Sequence, residues 1–248
     1  MRRMTDRLNG LSKACNTRMV FPITPTIDLI NGVLCAFLAW KLHRSLRQNP
    51  SHRVLHLFAQ LYVFLIFAYL AFSLPRFFMP LDQQAIGVGF LVAHVFLFLA
   101  AGYLVRVTTF FFRANWELPA FWLFLILAVG AMIVGVMNFQ EPYYNTTTGI
   151  TDWNIDPMFG TLTTVIFLIV LVPSSLFFFY QGIKTRNTVI RTRSILIALG
   201  IALLLVALAI YYNSGTSTLF FISDLFSLSA FLSTFIGVYY KRGSTMSL

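Results

Sequence analysis

Long apolar runs separated by short polar connections dominate the chain from residue 26 to residue 240. A helix that crosses a bilayer needs about 20 mostly apolar residues, and seven runs reach that length. They are Thr26–Arg44, Arg53–Phe78, Gln84–Phe111, Leu118–Phe139, Met158–Gly182, Val189–Tyr212 and Thr218–Tyr240. The runs lack the alternation of membrane β-strands. We therefore predict an all-α integral membrane bundle of seven transmembrane helices.

The same pattern divides the chain into one large domain and two tails. We expect a seven-helix transmembrane domain over residues 25–242, an N-terminal tail at 1–24 and a short cytoplasmic tail at 243–248. The N-terminal tail has no apolar stretch after its basic start, so it does not read as a signal peptide. Its apolar residues recur at helical spacing, which fits either a short interfacial helix or a disordered segment.

Composition supports a membrane protein and excludes most soluble classes. Hydrophobic residues make up 58% of the chain, charged residues only 10%, and the mean hydropathy is +0.78. Soluble domains carry about 25% charged residues. The net charge of +10 would suit a nucleic-acid-binding domain, but the high apolar content does not fit that class. We therefore expect the lipid bilayer, and not nucleic acid, as the partner of this chain.

The positions of the charges predict the orientation. Twelve of the 18 basic residues fall in the first, third and fifth connections and after the last run, whereas seven of the eight acidic residues fall on the other side. Lys and Arg favour the cytoplasm. We therefore expect a multi-pass protein of the plasma membrane with its N-terminus outside and its C-terminus cytoplasmic. The basic N-terminal tail disagrees: either it is translocated against its charge, or one run does not span.

Ionisable residues within the membrane are costly and are candidates for function. Asp28 opens the first run, Arg76 closes the second, and Asp224 lies about 10 Å inside the last. We expect Arg76 to pair with Asp224, with Asp28 nearby. The group would form the floor of an outward-facing pocket or the entrance of an ion path. The alternatives are a static ion pair between helices and an arginine that snorkels to the interface.

Two further residues could line a ligand or ion pathway. His94 lies near mid-membrane, where it could relay protons or bind a ligand; alternatively, it is a neutral ring bonded to a Ser or Thr hydroxyl. Ser227 belongs to a stripe of small residues beside Asp224, which suits either close helix packing or a hydrophilic lining. The stripe consists of Ser223, Ser227, Ala230 and Thr234.

Several kinds of chemistry lack their residues. Every lysine lies in a tail or at the end of a run, so a retinal Schiff base is excluded. The chain contains no HExxH, GxSxG or P-loop motif, and Cys15 and Cys35 have neither redox nor metal-ligand spacing. We therefore expect no enzymatic activity, no cofactor and no metal.

These observations favour a receptor-like or sensory module. We expect a small outward-facing polar pocket and signal transduction through a separate cytoplasmic or membrane partner that docks on the basic inner loops, because only eight residues follow Tyr240. The connection Glu141–Pro157 is either a lid over that pocket or a plain interfacial loop. The alternatives are a proton or ion channel or transporter that uses Asp224 and His94, and an accessory subunit of a larger membrane complex. An oligomer is compatible with each.

Overall fold

The computed structural model describes residues 21–145 and 148–240. The expectations for an interfacial N-terminal helix and for the C-terminal tail therefore fall outside the described residues, apart from positions 21–24. The structure is 84% helical. It contains α1 (Ile23–Gln48), α2 (Arg53–Phe78), α3 (Gln83–Arg113), α4 (Glu117–Met137), α5 (Pro157–Lys184), α6 (Thr188–Asn213) and α7 (Ser217–Tyr239), with a 3-10 turn at Ala114–Trp116 and strands β1 (Tyr143–Asn145) and β2 (Ile150–Asp152).

The helix boundaries lie close to the ends of the predicted runs. The largest difference is at α1, which ends at Gln48 instead of Arg44, because a helix continues into polar residues after its apolar run ends. Side-chain caps start the helices in the connections: the Asp82 carboxylate accepts from the Ala85 amide at 2.9 Å. Asp156 accepts from the Phe159 amide at 3.0 Å, which satisfies amide groups that have no partner inside the helix.

Within the described residues, six helical segments are long and apolar enough to cross a membrane. One of them, Gln83–Met137, is 55 residues long and contains α3, the 3-10 turn and α4. Such a segment would measure about 80 Å if it were straight. Instead, α4 packs back on α3: a side-chain carbon at Gly102 would approach Phe121 to 2.9 Å. Gly102 lies 12 residues before the first residue of the turn, and Phe121 lies five residues after its last residue.

Six of the helices form a ring. Sequential neighbours pack together from α1 to α3, α3 contacts α5, α5 to α7 follow in order, and α7 closes against α1. Helix α4 lies outside this ring and contacts α3 and α5. Gly200 permits close packing of α6 and α7, because an added side-chain carbon there would lie 2.7 Å from the Ala230 carbonyl oxygen. The ring leaves a space between its helices.

The bundle has a basic end and an acidic end. At the basic end, Arg193 at the start of α6 donates to the carbonyl of Tyr240 at 2.8 Å, and Lys41 of α1 donates to that of Val238 at 2.9 Å. The acidic end contains the start of α1, the end of α2, the two-stranded hairpin, the connection between α2 and α3, and the connection between α6 and α7. Contacts between helices that are distant in sequence therefore hold the basic end together.

Candidate functional site

Arg76 is the centre of a buried polar network at the acidic end. Its side chain lies in the last turn of α2 and is 1% exposed. The guanidinium forms an ion pair with Asp28 of α1. It also donates to the hydroxyls of Thr24 and Thr151, at 3.2 and 3.3 Å, and to the Phe72 carbonyl at 2.7 Å. Four acceptors therefore hold one cation, as a buried charge requires.

The predicted pair between Arg76 and Asp224 is wrong, because the arginine pairs with Asp28 instead. Thr24 and Asp28 are four residues apart on α1 and so present their side chains on one face, which meets the end of α2. Arg76 also does not snorkel to solvent, since it is 2% exposed. The static ion pair considered from the sequence therefore exists, but between α1 and α2.

The connection after α4 folds over this network as a β-hairpin. Tyr143–Asn145 pairs with Ile150–Asp152 in antiparallel register. Trp153, next in the chain, lies 4.9 Å from the Arg76 guanidinium carbon and is 6% exposed. The Gly149 carbonyl accepts from the Thr24 hydroxyl at 3.4 Å. The connection is therefore packed onto the helices.

Two hairpin residues have local environments that the fold dictates. Gly149 has a φ of +68°, and a side-chain carbon there would lie 2.5 Å from the Phe21 carbonyl oxygen, so both conformation and space favour glycine. Burial raises the pKa of Tyr144, with Arg76 acting in the opposite direction. The Tyr144 phenol therefore remains protonated at neutral pH, next to the buried charges.

A cavity of about 130 Å³ lies inside the ring, between α2, α3, α5, α6 and α7. Towards the basic end its walls are mainly leucine, isoleucine and phenylalanine. Towards the acidic end it is bordered by two carboxylates, tyrosine rings and hydroxyls. These polar residues are Asp28, Tyr69, Tyr211, Ser223, Asp224 and Ser227. The site is therefore amphipathic along the axis of the bundle.

Asp224 differs from Asp28 in having no counter-ion in the part of the chain that the structure describes. Among residues 21–145 and 148–240, no cation forms an ion pair with Asp224, and no side chain or amide donates a hydrogen bond to it. It lies within electrostatic range of Asp28 and Arg76. Two carboxylates thus share the neighbourhood of one guanidinium, and the ion pair occupies only one of them.

Ser227 borders the cavity and is held by two neighbouring helices. Its hydroxyl lies 3.1 Å from the Asn31 amide nitrogen and 3.1 Å from the Tyr69 hydroxyl. Ser223, which also borders the cavity, donates to the Ala207 carbonyl of α6 at 2.8 Å, whereas Thr234 donates to the Ala230 carbonyl of its own helix at 3.0 Å. The stripe therefore combines both roles considered from the sequence, because Ser223 borders the cavity and also bonds across the contact with α6.

His94 is buried in a shell of aromatic rings and does not border the cavity. Its Nδ1 lies 2.7 Å from the Phe90 carbonyl and its Nε2 lies 2.7 Å from the Tyr212 hydroxyl. Because a carbonyl only accepts, we assign the proton to Nδ1, and Nε2 accepts from Tyr212. The hydroxyl partner comes from a tyrosine, where the sequence led us to expect Ser or Thr. Tyr212 itself borders the cavity, so it separates His94 from that space.

A second charge cluster, at the basic end, was not predicted from the sequence. Glu117 opens α4 and is 0% exposed. Arg106 binds one of its carboxylate oxygens through Nε and Nη2, at 2.7 and 2.6 Å, and Arg53 binds the other at 2.8 Å. A signal existed: Glu117 is the one acidic residue on the basic side of the predicted topology. Its partners depend on how α2, α3 and α4 pack.

The structure therefore brings together three of the five predicted site residues at the cavity and places the others behind it. Asp28, Asp224 and Ser227 border the space, Arg76 contacts it through Asp28, and His94 is separate. Sequence reasoning missed Tyr69 and Tyr211, because an uncharged tyrosine in an apolar run does not stand out as an ionisable residue does. Comparison of the chain with protein-family models, with curated proteins and with solved structures finds no match.

Proposed function

We propose that this protein is a receptor-like seven-helix membrane module that binds a small ligand in the cavity between its helices and signals to a separate partner. The topology we propose has seven crossings, an extracellular N-terminus and a cytoplasmic C-terminus in the plasma membrane. The fold of Gln83–Met137 supports the count, because α4 turns back along α3. The basic end would then face the cytoplasm.

The single observation that carries the binding function is the amphipathic cavity between the helices. Ligand sites are concave, mostly apolar, and contain a few convergent polar groups. Here the apolar part lies among α2, α3, α5 and α6, and the polar part lies where Asp224 and Ser227 face Tyr69. The hairpin that follows α4 sits at the acidic end beside this polar part, bound to Arg76 and Thr24.

Transport is the weaker alternative because the candidate proton carriers do not share one path. Asp224 borders the cavity, whereas His94 lies behind Tyr212 with both ring nitrogens engaged. The cavity walls towards the basic end are mainly apolar, including Leu61, Leu104 and Leu171, and the Thr234 hydroxyl there bonds within its own helix. A proton path would need a continuous row of polar groups from one end of the bundle to the other.

The partner would dock on the basic end, where six cationic side chains of the described residues are exposed and form no ion pair. Their charge suits an acidic partner surface or anionic lipid headgroups. Other basic residues at this end are engaged within the fold, such as Arg193 and Arg106. The exposed set is Arg44, Arg47, Arg113, Lys184, Arg186 and Arg191.

Benzyl alcohol, a neutral probe with one aromatic ring, tests the proposal in phosphatidylcholine nanodiscs. We expect saturable binding by calorimetry, and altered hydrogen exchange of the peptides that cover the basic-end connection 184–191. Leu204→Trp should abolish binding because Leu204 lines the cavity. Leu199→Trp, on the exposed side of the same helix at 49% exposure, should leave it unchanged.

Two results would contradict the proposal. One is binding that is equal in both tryptophan variants, since the probe would then lie in the lipid. The other is proton flux in reconstituted vesicles that Asp224→Asn removes while thermal stability is preserved, since that result assigns the carboxylate to transport.

A further inference from the structure

The charges at the acidic end do not balance. Asp28 and Asp224 both border the cavity, and Arg76 lies within electrostatic range of both. Arg76 forms its ion pair with Asp28 and uses its other N–H groups on Thr24, Thr151 and Phe72. With all three groups ionised, their net charge is −1, and Asp224 is the group that no ion pair among the described residues neutralises.

We propose that the cavity binds a monovalent organic cation whose apolar body is about the size of one aromatic ring, with the charged group on Asp224. This inference rests on the proposed function and names its ligand class. A carboxylate removed from bulk water is costly unless it is paired, and no described cation pairs with Asp224. An ammonium group in the cavity would supply the missing charge.

The tyrosines around Asp224 suit a cation as well. The Tyr211 hydroxyl is buried and has no hydrogen-bond partner among the described residues, so it can accept from an ammonium N–H. The rings of Tyr69 and Tyr211 border the same space, and aromatic faces attract cations. An unpaired acceptor and a carboxylate thus converge at one end of the cavity.

The size and lining of the cavity determine the apolar part of the ligand. A cavity of about 150 Å³ lined by Leu, Ile and Phe binds benzene in another protein, and this cavity measures about 130 Å³. Its walls away from Asp224 include Leu65, Leu97 and Phe167. One aromatic ring or a short alkyl chain therefore fits there.

An anionic ligand does not suit this site. The nearest described cation, Arg76, is 2% exposed and already serves four acceptors. It is also absent from the cavity lining. An anion would face two carboxylates with no available counter-charge, so the site should reject it.

Three probes with the same ring and methylene test the charge preference at pH 7: benzylammonium, benzyl alcohol and phenylacetate. Each is titrated by calorimetry into the full-length protein in phosphatidylcholine nanodiscs, whose zwitterionic surface does not concentrate cations. We expect benzylammonium to bind at least about tenfold more tightly than benzyl alcohol, and phenylacetate not to bind.

Asp224→Asn should remove that tenfold preference, with a thermal melt to verify folding. Glu141→Gln is the matched control, because it removes one exposed negative charge at the same end, outside the cavity. It should keep the full preference.

The possible results separate the two proposals. If benzyl alcohol binds at the cavity but benzylammonium binds no better, or if Asp224→Asn keeps the preference, the cation proposal is overturned and the ligand-binding function stands. If none of the three probes binds, both are overturned.

Discussion

The two ends of this bundle each bury a charge cluster, but with opposite balance. At the basic end one acid, Glu117, meets two arginines, and all its charge is matched within the fold. At the acidic end two acids share one arginine, and Asp224 has no counter-ion among the described residues. The excess positive charge of this cluster lies on Arg53, whose side chain is 53% exposed and therefore solvated. An unmatched carboxylate beside a cavity has the chemistry of a binding site.

The two clusters also differ in how far they are exposed to solvent. Glu117 lies at the start of α4, where a negative charge also suits the helix dipole, and Arg53 reaches solvent with 53% of its side chain exposed. The Arg76 network is covered by Trp153 and Thr151 of the hairpin. Because the Arg76 network is the less exposed of the two, we expect its disruption to lower the free energy of unfolding by more than disruption of the Glu117 cluster.

The largest effect should come from Arg76→Met, which leaves the Asp28 carboxylate buried without its partner. We expect the free energy of unfolding to fall by about 3–5 kcal/mol, measured by reversible unfolding in mixed micelles with circular dichroism. Arg113→Met removes an exposed arginine of similar length and should change it by less than about 0.5 kcal/mol. Equal loss in both variants would show that the Arg76 network contributes no more than a surface charge.

Glu117→Gln should have an intermediate effect. Glutamine keeps only one oxygen acceptor, so one arginine meets an NH2 donor and both lose the opposite charge. We therefore expect a loss of about 1–3 kcal/mol in the same assay. Arg106→Met should cost more than Arg53→Met, because the Arg106 side chain is 18% exposed against 53%. Solvent screening keeps the Arg53 contribution below about 1 kcal/mol. The reverse order of the two arginine variants would refute this view of the cluster.

The smallest change in stability should distinguish Tyr211 from Tyr212, two adjacent tyrosines in the last turn of α6. Tyr212→Phe removes the hydroxyl that binds His94 and should lower the free energy of unfolding by about 1 kcal/mol. Tyr211→Phe removes a buried hydroxyl with no partner among the described residues, so stability should stay within about 0.5 kcal/mol or rise. A larger loss in Tyr211→Phe than in Tyr212→Phe would reveal a partner for Tyr211 and remove one support for the cation site.

Hydrophobic runs were sufficient to place the described helices. A segment in lipid must satisfy its own backbone hydrogen bonds, so its helical structure can be predicted from the local sequence. The runs also identified Asp28, Arg76, Asp224 and His94, since an ionisable residue stands out in an apolar run. The runs left the connection 141–157 open between two descriptions, and nothing in its sequence indicated that Thr151 and Trp153 would enclose an arginine from α2.

By itself, the sequence determined the helical membrane character, the helix positions, the segregation of charge between two ends and the short set of embedded polar residues. Only the tertiary structure decided which of them meet: Arg76 with Asp28 and not Asp224, His94 with Tyr212, and Glu117 with two arginines. The reason is geometric. Spacing along one helix decides which side chains share a face, but a partner on another helix depends on that helix's rotation and depth, which packing sets.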